Sequence, residues 1–203
     1  MSLPPVEVPQ GAIRFNTDSQ KLEFYAQDQW WEMVIDTPAL GTSSDTGAGA
    51  RGVFGGGITG PSPANAETDV IQYINISSAG NAVDFGDLSA TRRFLTSLSS
   101  STRGVFGGGV TFTPALTRFN VIEYITISST GDAIDFGDLS GGKTALSACS
   151  SSTRGVFGGG FTTTRLNVIE YITISSTGNA VDFGDLTQQR SASSACSNGH
   201  GGL

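Results

Sequence analysis

One histidine, two cysteines and two lysines in 203 residues leave little from which a catalytic or metal centre could be built. A Ser/His/Asp triad or a histidine metal site needs a well-placed imidazole. The only one is His200, near the end of the sequence, so neither is expected. Cys149 and Cys196 fit no zinc motif and no disulfide framework. Lys21 and Lys143 are the only lysines, and the net charge is −7. No basic patch is available to neutralise phosphates, so nucleic acid is not an expected partner. No run of about 18 apolar residues occurs, which argues against a transmembrane helix and membrane insertion. The first ten residues, MSLPPVEVPQ, lack the basic region and apolar core of a signal peptide.

Glycine, in contrast, is abundant: 28 residues, about twice the usual share. The glycines recur at fixed places because the sequence repeats, and a period of this length decides the fold reading. RGVFGGG starts at Arg51, Arg103 and Arg154, at spacings of 52 and 51 residues. A second block follows each marker: DVIQYINISS from Asp69, NVIEYITISS from Asn120 and again from Asn167. A third block is GNAVDFGDL from Gly80, GDAIDFGDL from Gly131 and GNAVDFGDL from Gly178.

Each block reads as a strand. VIEYITI has the β-branched and aromatic content that suits a pleated, half-buried surface. In AVDFGDL the apolar Val181, Phe183 and Leu186 point inward, and the slip of alternation at Gly184 marks a bulge. A fourth, small-residue strand precedes each marker position: from Arg92, from Lys143 and from Arg190. Aligning these places Leu98, Cys149 and Cys196 at one position, so both thiols are expected to be buried and inert.

The result is an all-β unit of four strands in about 51 residues. It resembles the kelch repeat of β-propellers, whose blades have about 50 residues and four strands. The resemblance covers residues 51–203. It rests on the glycines Gly107–Gly109, the aromatic Tyr124 and the second aromatic Phe136, which stands where kelch repeats usually have tryptophan. The expected fold is therefore three tandem kelch-like repeats, starting at 51, 103 and 154. They form either a propeller-like ring or a three-sheet prism. Residues 37–50 are a polar Gly/Ser-rich linker without a convincing first strand, and a terminal strand, 188–203, could complete the first repeat by strand exchange. Three blades are too few for a closed propeller, and an unpaired terminal strand promotes association, so a homo-oligomer is expected.

Residues 1–36 are a different, anchoring segment. Ala12–Phe15, Lys21–Tyr25 and Trp30–Val34 read as a small β-meander, too small to be stable alone. Trp30 and Trp31 alternate faces, so one is available for docking. This stretch resembles a module near the start of tail-fibre and other appendage subunits of tailed phages. The match lies in G-x-I-R-F-N-T-D at Gly11–Asp18, L-E-F-Y at Leu22–Tyr25 and Trp30. The GVFGGG and IEYITI repeats resemble structural proteins of phages infecting cyanobacteria. The resemblance implies a virion location and other virion proteins as partners: a tail fibre, tail appendage or capsid decoration that docks by its N-terminus and displays a rigid body for host adhesion.

Three further motifs resemble functional ones. The triplet DFG at Asp84, Asp135 and Asp182 is a repeat feature without the other kinase motifs. The FGGG runs lack the G-x-G-x-x-G and P-loop patterns. The acidic pairs Asp84/Asp87, Asp135/Asp138 and Asp182/Asp185 suit turn hydrogen bonding, with calcium as the alternative at Asp132, Asp135 and Asp138. Arg51, Arg103 and Arg154 could pair with these carboxylates. No enzyme activity and no cofactor are expected. Binding residues in repeats sit on variable insertions, which nominates Phe112, Arg118, Phe119 and Arg165 in the loops after the markers. A lectin-like module recognising host-surface glycan is the alternative function.

Overall fold

The computed structural model describes residues 8–16, 21–32, 51–60 and 66–198. These are all-β, with no helix among the described residues. The chain divides into two compact units, residues 1–38 and 39–203.

The first unit is an antiparallel meander of β1 (Ile13–Asn16), β2 (Lys21–Ala26) and β3 (Gln29–Glu32), in the order β1-β2-β3. Gln27 and Asp28 both take positive φ (52° and 61°) between paired Ala26 and Gln29. That is the two-residue turn whose twist matches the flanking strands. The register places Ile13, Phe24 and Trp31 side by side, and Phe15 beside Leu22, so five apolar side chains share one face. All five are exposed. On the other face Arg14 pairs with Glu23 at 2.8 Å and lies 4.1 Å over the Trp30 ring, which meets Tyr25 edge-on. The tryptophans do take opposite faces. Met33, Val34 and the linker 37–50 lie outside the described residues.

Among the described residues the second unit contains three antiparallel sheets of three or four strands and one two-stranded hairpin. Sheet one has β4 (Arg51–Thr59), β5 (Ala66–Asn75) and β6 (Val83–Asp87). Sheet two begins with β7 (Thr96–Ser99) and β8 (Arg103–Gly107), is interrupted by the hairpin β9 (Val110–Thr111) and β10 (Thr117–Arg118), and resumes with β11 (Val121–Thr126) and β12 (Ile134–Asp138). Sheet three is β13 (Ser147–Ser150), β14 (Arg154–Gly158), β15 (Leu166–Thr173) and β16 (Val181–Arg190). In each sheet the strands follow chain order. The repeat is therefore structural: Tyr73, Tyr124 and Tyr171 stand opposite Val53, Val105 and Val156. The expected slip exists in all three copies, as a register shift in the ladder near Gly86, Gly137 and Gly184, whose φ values are 147°, 143° and 134°.

The core lies in the seams between sheets. Ile71, Phe85, Leu88, Phe106 and Ile125 fill the first seam, and a larger cluster around Val105, Ile122, Phe136, Phe157 and Ile172 fills the second. At each seam a phenylalanine of the marker lies over a glycine of the preceding sheet. A Cβ on Gly55 would come within 2.9 Å of Phe106, and one on Gly107 within 2.9 Å of Phe157.

Four expectations need correction. The terminal strand from 188 is not a separate strand, because Gln188–Arg190 extend β16 and residues 191–198 make no ladder. Among the described residues no marker strand lies beside residues 191–198. For the same reason Cys196 is exposed, and Cys149 is only half-buried. Val181 and Phe183 are exposed rather than inward: the Val181 position is exposed in all three copies, as Val83 and Ile134 show, whereas Phe183 lacks, among the described residues, the neighbouring sheet that buries Phe85 and Phe136. Finally, Arg51 and Arg103 do not pair with the aspartates. They stack over Tyr73 and Tyr124 and donate to the carbonyls of Ile127 and Ile174. The third marker arginine, Arg154, stacks over Tyr171.

Candidate binding surface

The loops that carry the candidate residues leave the sheets through the glycine runs. Gly56, Gly108 and Gly159 have φ between 66° and 67°, and a Cβ on any of them would strike the carbonyl of Arg92, Lys143 or Arg190 at 2.6–2.8 Å. Glycine is required here by both backbone conformation and close approach. The runs seat the linkers between sheets, and among the described residues no helix follows them to bind a phosphate.

Each linker delivers one cation into the seam. Arg92 is fully buried and pairs with buried Glu123 through Nη2 and Oε2, while Nη1 donates to the Gly108 carbonyl and the guanidinium sits over Phe119. Burial lowers the Arg92 pKa to about 10, because desolvation disfavours the charged form. At the second seam Lys143 Nζ donates to Glu170 Oε2 at 2.5 Å and to Ser140 Oγ at 3.1 Å. The amides of Ser89 and Ser140 donate to the remaining oxygens of Glu123 and Glu170. These pairs are sealed from solvent and clamp sheet to sheet. Sequence reading missed them, although a lone glutamate inside VIEYIT was a visible signal.

Burial opposes ionisation of Glu170, but the hydrogen bonds from Lys143 and Ser140 outweigh it and hold its carboxyl below the ordinary range. A depressed folded pKa contributes stability that is present above the unfolded value, near about 4.3. It is lost as pH falls through the folded value. Urea midpoints measured from pH 7 downward should therefore fall at acid pH. Glu170→Gln should be less stable at neutral pH and show a shallower acid slope.

The exposed surface is of another kind. Arg93 lies 4.1 Å over the Phe112 ring and 5.3 Å from Phe94, and its Nε is 3.6 Å from Glu67 Oε1. That distance gives an ion pair without a hydrogen bond. Phe112 N donates to the same Glu67 oxygen at 3.3 Å. Phe94 and Phe112 are exposed, so two rings, a guanidinium and a carboxylate share one patch. Of the nominated residues only Phe112 belongs to it. Phe119 lies under Arg92, whereas Arg118 is 5.7 Å from Phe161, whose backbone bridges to Arg165. Glu67, Arg93 and Phe94 were not foreseen. The RRF run in the first linker, where the second has KTA, was the available sign.

Around the repeated aspartates the hydrogen bonds run between sheets, from backbone amides to side chains of the next repeat. Asp132 Oδ1 accepts from the Asp87 amide and Asn179 Oδ1 from the Asp138 amide, both at 3.0 Å. Desolvation and then the carboxylates of Asp69, Asp132 and Asp84 push the Asp87 carboxyl up. Among the described residues no group of three acidic, histidine or cysteine side chains converges as metal ligands. Compared with known protein families and with curated proteins, the chain matches none.

Proposed function

We propose that the chain is a non-enzymatic structural protein of a tailed-phage virion, anchored by residues 1–36 and displaying three kelch-like propeller blades. One observation carries this reading. The stretch resembling the appendage module folds with five apolar side chains, including Trp31, on one exposed face. An open apolar face on a sheet too small to stand alone suits a docking element. The test is mass spectrometry of purified particles of the phage that encodes the chain. The protein should be present in particles, and Trp31→Asp should remove it. Its presence only in the soluble lysate would reject the role.

A second reading, glycan recognition, draws on the patch of Phe94, Phe112, Arg93 and Glu67. Aromatic faces beside charged hydrogen-bonding groups are the usual furniture of small-ligand sites. A glycan array with the wild type and Phe112→Ala separates the two: a sugar preference lost in the variant supports recognition, and no preference leaves a purely structural body.

A further inference from the structure

Each half of the inter-sheet seam occurs once more with nothing against it among the described residues. Phe106 and Phe157, which lie over Gly55 and Gly107, are 3% and 1% exposed. The third phenylalanine of the series, Phe54, is 61% exposed, and the third glycine, Gly158, faces open space where its Cβ would stand. The arginine contacts behave alike. Ile174, which accepts from Arg103, is 1% exposed, whereas its counterpart Ile76 is 65% exposed and Arg154 is exposed too. Phe85 and Phe136, whose carbonyls accept from Gly131 and Gly178 at 2.7 Å, are buried, but the matching Phe183 is exposed. A repeat that ended a stack would turn a polar face outward. These two ends turn out phenylalanine.

The last described residues identify what is missing. Ser150 Oγ donates to the Ser99 carbonyl at 2.7 Å, and Ser197 Oγ donates to the Ser150 carbonyl. Residues 194–197 thus continue the series of β7 and β13, in the place of a first strand for a further sheet. Among the described residues sheet one has no such strand, and β4 is its edge.

We propose that a second copy of this chain fills both gaps. Sheet one of each copy stacks on sheet three of the other, with Phe54 over Gly158. Residues 194–197 then pair with β4 of the second copy, Ser194 opposite Gly55 and Ser197 opposite Gly52, in the register of β7 on β8 and β13 on β14. Two such head-to-tail contacts make a ring of six sheets. Six is the only multiple of three among the four to eight blades that propellers typically have, and a head-to-tail contact forms a ring when its rotation closes. The closing seam differs from the internal ones at one point. Arg190, at the position of Arg92 and Lys143, meets Gln72 instead of a glutamate. It has a hydrogen bond in place of an ion pair and is the first seam to part on dilution.

The inference rests on the propeller reading of the sheets and is independent of the virion role. Light scattering of the purified full chain gives its absolute mass, expected at about 42 kDa, twice the 20.9 kDa of one chain. Gly158→Val fills the hollow for Phe54 and should halve the mass with an unchanged far-ultraviolet circular dichroism spectrum. Phe54→Ser should do the same from the opposite face. A wild type of single-chain mass or of any other mass, or a dimer that survives both substitutions, overturns the closure. Gly107→Val, which collides with Phe157 inside one chain, separates the two levels. If it destabilises a wild type that is monomeric, the sheets stack as blades and only the second copy is rejected. If it is tolerated, the blade reading itself fails.

Discussion

Arg92→Met should cost the repeat body about 3–5 kcal/mol, because it strands a buried carboxylate. Glu123 is almost fully buried, and its two oxygens are held by Arg92 and by the Ser89 amide. Removing the guanidinium leaves one oxygen facing Phe119 and a backbone carbonyl, with no donor to replace it. The double variant Arg92→Met, Glu123→Leu should recover most of the loss, since replacing a whole buried pair by apolar groups is often neutral. Arg93→Met, one residue along, should stay within about 1 kcal/mol, because its pair with Glu67 is partly exposed and long. Urea denaturation followed by circular dichroism reads all three. A cost for Arg92→Met as small as that of Arg93→Met would mean that Glu123 is solvated or protonated in the folded protein.

The three identical RGVFGGG markers should respond very differently to the same substitution. Phe157→Ala removes a ring packed between two sheets and should cost about 3–5 kcal/mol. Phe106→Ala, in the smaller first-seam cluster, should fall at the low end of that range. Phe54→Ala in the single chain should cost no more than about 0.5 kcal/mol, as most exposed substitutions do. Thermal or urea unfolding of dilute protein orders the three variants. Equal effects would show that the first marker is covered in the folded chain, and would remove the open face.

The strands, their order within each repeat and the bulge were legible, because a period-two apolar pattern and a slip at glycine are local signals. What escaped was set by neighbours. Phe54, Phe106 and Phe157 sit in one motif, but only the presence of a preceding sheet decides which is buried. Cys196 aligns with Leu98, yet no described strand covers it. The buried cations and glutamates come from segments 31 and 27 residues apart, and that coupling exists only once the sheets stack. The aromatic patch was half visible: Phe112 stood out as a loop residue, whereas Glu67 reaches it from a strand of the preceding sheet.

Every sheet is assembled from strands that follow one another along the chain, and its seams join only consecutive repeats. Such a body behaves as a one-dimensional array, in which stability is a sum of unit and nearest-neighbour terms. In a single copy sheet two is held from both sides and the outer sheets from one, so opening there starts at the ends and travels inward. Sheets can also form one after another as the polypeptide emerges during synthesis, each new one adding to the surface left by the last.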